Sequence, residues 1–170
     1  MVEMVVESVR VNLVNPSRVV VLREKGRERY LAILIAPPEA DAIVIKLQDR
    51  ESPRPQTHDL IKNVIENMGA KVVRITVSEL VDQVYYAKIV IQRNGAELDI
   101  DSRPSDAIAL ALRAEVPILV AEEVLDAAGI EPDEDGETET SEEIEVVTEE
   151  KLKPFRDFIN QLDLDDLGRE

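Results

Sequence analysis

Residues 96–113 limit what this chain can fold into more than any other stretch. Ala96-Glu97-Leu98-Asp99-Ile100-Asp101 alternates apolar and polar side chains, the period of a half-buried strand. Pro104-Ser105-Asp106 follows almost at once, leading into the aliphatic run from Ala107 to Arg113. Proline suits the first turn of a helix, where its missing N–H is not needed. Ser102 is placed to cap the free N–H groups, and Asp106 falls in the electropositive first turn. Upstream, Val84 to Ile91 reads as a strand joined through Asn94-Gly95, the strongest short hairpin signal. Local sequence therefore dictates a β-hairpin that feeds directly into a helix. Helix starts of this kind favour anions such as phosphate.

The same order of elements occurs earlier. Val19 to Leu22 and Tyr30 to Ile35 read as strands flanking a turn at Lys25-Gly26, and Pro37-Pro38 opens a helix. Asp41-Ala42-Ile43 echoes Asp106-Ala107-Ile108, 65 residues later. The echo suggests a duplicated hairpin–helix unit, the first copy kept as scaffold and the second carrying chemistry. Val5 to Leu13 precedes it as a first strand. Thr57 is read as N-cap of a helix over 58–68, and Val72 to Val77 as the next strand. Pro117 to Val120 and Glu122 to Ala128 are read as a closing strand and helix. The predicted class is α+β, a single domain of β-hairpins and helices around one aliphatic core.

That core is aliphatic because the 170 residues include only two Phe, three Tyr and no Trp. The absence of cysteine excludes disulfides and thiol catalysis, and one histidine excludes multi-His metal sites within one chain. No apolar run approaches the ~20 residues of a membrane span. The first residues lack a signal-peptide pattern, so a cytoplasmic location without membrane attachment is expected. Of the net charge of −16, residues 1–130 hold 20 acids and 16 bases, while residues 131–170 hold 16 acids and 4 bases. The body is close to balanced and can present a local basic face. Three parts are expected: a domain over 1–129, an acidic disordered linker over 130–150, and an amphipathic helix over 151–170. The helix carries Leu152, Phe155, Phe158, Ile159 and Leu162 on one stripe.

A second stretch, Ser52-Pro53-Arg54-Pro55-Gln56-Thr57-His58-Asp59-Leu60-Ile61, holds the sole histidine. Its Arg-Pro-x-Thr-His-Asp-Leu and the later Asp-Ser-Arg-Pro-Ser-Asp-Ala-Ile-Ala-Leu-Ala-Leu-Arg resemble the two signature segments of the bifunctional nuclease domain family. The resemblance covers roughly residues 1 to 128. It implies cleavage of both DNA and RNA, and it implies that the matching residues line one cleft.

Phosphodiester hydrolysis needs an activated nucleophile, charge stabilisation on the phosphoryl oxygens and protonation or binding of the leaving oxygen. His58, Asp101, Arg103 and Asp106 are the candidate catalytic residues. An imidazole titrates near neutrality and suits proton transfer. Asp101 and Asp106 are candidate ligands of a hard cation, Mg²⁺ or Mn²⁺. Arg54, Thr57, Asp59, Ser102 and Ser105 are candidate substrate contacts, the arginines by bidentate bonds to phosphate. Neighbouring helical residues point about 100° apart, so Asp59 need not meet the His58 ring, and first-turn charge is its commoner role. A basic hairpin with Arg18, Arg23, Lys25, Arg27 and Arg29 fits either backbone guidance or protection of a sheet edge. Any nucleic-acid binding should follow the backbone with weak sequence preference, since no aromatics stand ready to stack on bases.

Two function classes follow: a non-specific nuclease, or a non-catalytic module that binds a phosphate-bearing ligand at the helix starts. The acidic segment adds an autoinhibition hypothesis, in which it mimics phosphate at the site. Exposed hairpin edges and the terminal helix suggest a homodimer or higher homo-oligomer.

Overall fold

A computed structural model describes residues 1–11, 17–50 and 52–132. In chain order the elements are β1 (Val2–Val11), β2 (Arg18–Glu24), β3 (Tyr30–Ile35), α1 (Pro37–Leu47), α2 (Thr57–Asn67) and β4 (Ala70–Val81). They continue with β5 (Val84–Arg93), β6 (Ala96–Ser102), α3 (Pro104–Ala114), β7 (Ile118–Val120), α4 (Glu122–Ala128) and β8 (Gly129–Ile130). These lie in a compact unit, Met1–Pro132. From residue 133 onward, the acidic segment and the amphipathic helix read from sequence lie outside the described residues. The fold is α+β, as the sequence predicts.

All strands join one sheet in the order β6-β5-β4-β7-β1-β2-β3-β8. Short β7 sits at its centre, parallel to β4 and antiparallel to β1. On each side stands a three-stranded antiparallel meander, β4-β5-β6 or β1-β2-β3, each leading into a helix. Because β1 and β4 run in opposite directions beside β7, the two β-β-β-α halves are arranged as a twofold would arrange them. The helices of the two halves, α1 and α3, pack against each other. This is the architecture that the sequence echo anticipates.

One face of the sheet carries the core, and alternation selects it. Val20 and Leu22 on β2, Leu31, Ile33 and Ile35 on β3, and Ile75 and Val77 on β4 are all buried. Against them lies α3, whose Ala107-Ile108-Ala109-Leu110-Ala111 is almost completely inaccessible. A helix apolar on every side belongs at a centre, and its three alanines let α1, α2 and the sheet approach closely. Each fully buried Ile or Leu contributes about 1.5–3 kcal/mol.

Three local expectations are corrected. Strand β4 continues past Val77 to Val81, because Asp82 and Gln83 both take positive φ (48° and 64°) and form a tight turn. Asn94-Gly95 makes the matching turn between β5 and β6 with φ of 52° and 81°. Thr57 is the first helical residue and not the cap; the cap is Gln56, whose N–H donates to Asp59 Oδ2 at 2.9 Å. Ser102 does not cap α3 either. The residue before Pro104 is Arg103, and the Ser102 hydroxyl donates to the Arg103 carbonyl oxygen at 3.0 Å.

Candidate active site

Helices α1 and α3 begin alike. Each follows a strand, lacks a side-chain cap and has proline in its first turn. Counted from these starts, the third residues are Glu39 and Asp106. The structural spacing of the two halves is thus 67 residues, and Glu39, not Asp41, is the counterpart of Asp106. The shared Asp-Ala-Ile triplet misaligned the copies by two positions, because an Asp and a Glu at equivalent positions leave no identity to match.

Both carboxylates converge on Arg103. Its Nε donates to Asp106 Oδ2 and its Nη2 to Glu39 Oε1, each at 2.7 Å. The two partners raise the guanidinium above its ordinary value, Asp106 the more strongly, so it stays charged. Nη1 makes no bond among the described residues, and the side chain is 64% exposed. One corner of the guanidinium is therefore open to a ligand.

The other oxygen of Asp106 meets His58. His58 Nε2 lies 3.2 Å from Asp106 Oδ1, across 48 residues of sequence. His58 is buried, only 5% exposed, and its Nδ1 has no partner among the described residues. A proton on Nε2 facing the carboxylate leaves Nδ1 as a bare lone pair, an assignment made from the hydrogen-bond network. Leaving a buried polar nitrogen unpaired costs about 1–3 kcal/mol. Glu39 Oε2 is buried and likewise unpaired among the described residues. Both orphaned atoms belong to residues lining one cavity of about 540 Å³, with Pro38, Asp41, Thr57, Arg103 and Asp106 also on its wall.

Arg113 holds this arrangement in place. Its buried guanidinium donates to Asp59 Oδ1 (2.7 Å), Ala109 O (2.9 Å), Ala42 O (3.1 Å) and Gln56 Oε1 (3.2 Å). One side chain thereby ties α1, α2 and α3 together and fixes the helix that carries His58. Burial alone would raise the Asp59 carboxyl; the Gln56 N–H and the Arg113 guanidinium outweigh it and hold that carboxyl below its ordinary value. Asp59 thus serves the scaffold, and His58 faces a different partner, as the angle between adjacent helical residues requires.

Of the residues singled out in sequence, the fold brings His58, Arg103, Asp106 and Thr57 to one cavity. Ser105 is buried at the start of α3. Ser102 ends β6, and Arg54 lines a neighbouring cavity. Asp101 stands opposite Lys88 on β5, on the sheet face away from the pair Ile89 and Ile100. Asp101 and Asp106 are therefore not brought together, and among the described residues no three His, Asp or Glu groups converge as metal ligands. Sequence reading missed Glu39 and the clamp role of Arg113. The signal for Glu39 was its place behind Pro37-Pro38.

Comparison with known proteins gives the same family as the motifs. Residues 20–133 match the bifunctional nuclease domain. An uncharacterized protein of Mycobacterium tuberculosis is 38% identical over 165 residues, 96% of either chain. Bifunctional nuclease 1 of Oryza sativa subsp. japonica is 31% identical over 109 residues, and bifunctional nuclease 2 of Arabidopsis thaliana 29% over 107. These matches span 62% and 61% of this chain but only 33% and 32% of the plant proteins. With the domain matched over most of its length, this chain belongs to the bifunctional nuclease domain family.

Proposed function

We propose that the cavity at the starts of α1, α2 and α3 hydrolyses phosphodiester bonds in DNA and RNA with little sequence preference. The observation that carries this reading is the buried His58 ring, set by Asp106 on one nitrogen and unpaired on the other, beside the open corner of Arg103. The names of the plant relatives support it.

In this reading His58 accepts a proton from water as the water oxygen attacks phosphorus. Asp106 stabilises the imidazolium that forms, as a carboxylate behind a catalytic imidazole does. Arg103 faces the charge that grows on the non-bridging oxygens. The P–O bond to the leaving group breaks, and that oxygen takes the proton back from the imidazolium. Contacts to backbone phosphate carry no base information, which suits a substrate range of both nucleic acids. The alternative, a phosphate-ligand module without catalysis, draws on the charged Arg103 guanidinium at the start of α3, which can hold a phosphate without any proton transfer.

The test is incubation of labelled single- and double-stranded DNA and RNA with the full chain, His58→Ala and Asp106→Asn, in Mg²⁺, Mn²⁺ or EDTA. Cleavage by the wild type that both variants lose supports the nuclease. Cleavage in EDTA assigns the proton and charge work to His58, Asp106 and Arg103, and cleavage only with Mg²⁺ or Mn²⁺ brings in a cation. Binding without cleavage under every condition favours the module.

We also infer self-association. Helix α2 and its C-cap residue leave Leu60, Val64 and Met68 exposed along one stripe, a face that a second copy can cover. Light scattering of the wild type against Val64→Glu tests this; equal mass as a monomer sinks it.

A further inference from the structure

The cleft continues past His58. A second cavity of about 470 Å³ adjoins the first, and Ile45 and Gln56 line both. Among the described residues its wall holds four cations, Lys46, Arg50, Arg54 and Arg113, against two carboxylates, Asp49 and Asp59. Both carboxylates are already partnered: Asp49 pairs with Lys46 at 3.6 Å, and Asp59 takes the Arg113 and Gln56 bonds. Arg113 is fully used by the helix clamp. The Arg50 backbone N–H donates to Ile45 O at 3.0 Å, but the guanidiniums of Arg50 and Arg54 make no hydrogen bond or ion pair among the described residues. Two guanidiniums without acceptors therefore share one concave, polar wall.

The backbone around Arg54 favours ligand capture. Pro53 and Pro55 flank it, fixing their own φ angles and steering Arg54 toward extended conformations. A stiff support loses little entropy when its side chain is immobilised. The Asn63 amide and Ser52 hydroxyl add neutral donors to the same wall.

We propose that this second cavity is a phosphate subsite, gripping a backbone phosphate next to the one being cleaved, with Arg50 and Arg54 as the bidentate contacts. The inference deepens the nuclease reading and rests on it: chemistry occurs at His58 and Arg103, and the strand is held at Arg50 and Arg54. A planar guanidinium matches two phosphate oxygens at once, and such contacts read no base.

The experiment measures anisotropy of a labelled single-stranded DNA 12-mer on the full chain across a salt series, for the wild type and Arg50→Ala/Arg54→Ala. Removal of one phosphate contact should weaken binding about tenfold at low salt and flatten the log–log salt slope by about 0.7. In cleavage assays KM for the 12-mer should rise more than kcat falls. The preference for the 12-mer over a dinucleotide, measured as the ratio of kcat/KM values, should drop about tenfold with it. An unchanged slope and affinity, or an undiminished length preference, overturns the subsite, as does a wild type that binds no 12-mer. Binding that depends on Arg50 and Arg54 without cleavage keeps the subsite and removes the nuclease reading. Cleavage that needs His58 but ignores both arginines does the reverse.

Discussion

Glu39 and Asp106 occupy the same position in two equivalent helices and grip one guanidinium, that of Arg103, at 2.7 Å each. The two halves of the fold thus meet at a charge cluster. Two carboxylates aimed at one cavity repel each other, and Arg103 offsets that repulsion while its Nη1 makes no bond among the described residues. The internal repeat supplies the geometry, and in the proposed reading the arginine at the start of α3 supplies the positive charge that a phosphate would require.

Removing that arginine should cost activity far more than stability. Arg103 is largely exposed, so its ion pairs contribute little to folding. Arg103→Ala should lower kcat by about 10²–10³-fold, the scale for losing one transition-state donor. Arg103→Lys should not restore it, since an ammonium cannot hold Glu39, Asp106 and phosphate through a planar fork. Steady-state cleavage with parallel thermal melts checks both points; full activity in the lysine variant would refute the shared-fork argument.

The His58–Asp106 pair makes a second prediction. His58→Ala should reduce kcat by about 10²–10⁴-fold, the usual worth of a general base. Asp106→Asn should produce a loss of similar order, because the amide can neither stabilise an imidazolium nor pair equally with Arg103. The double variant should be little worse than either single one, as for residues acting as a unit. Independent, multiplying losses would show that the two do not act together.

Asp101 offers a contrast with Asp106. It lies on the sheet face opposite Ile89 and Ile100, across from Lys88. Asp101→Ala should therefore keep cleavage within about twofold of the wild type and change stability by no more than about 0.5 kcal/mol. A loss as large as that of Asp106→Asn, in a variant that melts normally, would return Asp101 to the chemistry.

How far sequence reached this site follows from how local each feature is. The Asn94-Gly95 turn, the strand before it and the Pro104 helix start are written in adjacent residues, and they were legible. The pairing of His58 with Asp106 spans 48 residues and that of Arg103 with Glu39 spans 64. No periodicity encodes such distances; the two motifs signalled the first only by resemblance, and nothing signalled the second. Arg113 was visible only as the polar end of an apolar helix, and its bond to Ala42 spans 71 residues. Ser102 and Thr57 misled because hydroxyls are good caps in general, whereas here Gln56 and Arg103 take those positions.

The Arg113 clamp predicts a definite pH dependence. The Asp59 carboxyl is held below its ordinary value near 3.8 in the folded chain. A depressed folded value means that the stabilisation is complete above the unfolded value and is lost as pH falls through the folded one. The clamp should hold down to about pH 4 and weaken only below it. Asp59→Asn should destabilise the chain by roughly 1 kcal/mol near neutrality, solvent screening being appreciable at a partly exposed carboxylate. Its disadvantage should vanish at the lowest pH. Arg113→Met, which leaves the Ala42 and Ala109 carbonyls without their donor, should cost about 2–4 kcal/mol. Thermal melts between about pH 7 and about pH 2 check the series; an Asp59→Asn variant whose disadvantage relative to the wild type grows in acid would contradict the sign.

The acidic segment gives the last prediction, and the fold changes how to test it. A chain ending at Gly129 would cut β8, whose Ile130 pairs with Tyr30 on β3. A chain ending at Pro132 keeps the whole compact unit and still removes the acidic excess. If that excess screens the phosphate site, the Pro132 chain should bind single-stranded DNA more tightly than the full chain at low salt. The gap should close as the Debye length falls from about 30 Å at 0.01 M to about 8 Å at physiological ionic strength. A difference that persists at high salt would point to a direct contact. Equal affinity at every salt concentration would leave the acidic residues as a solubilising charge with no part in substrate access.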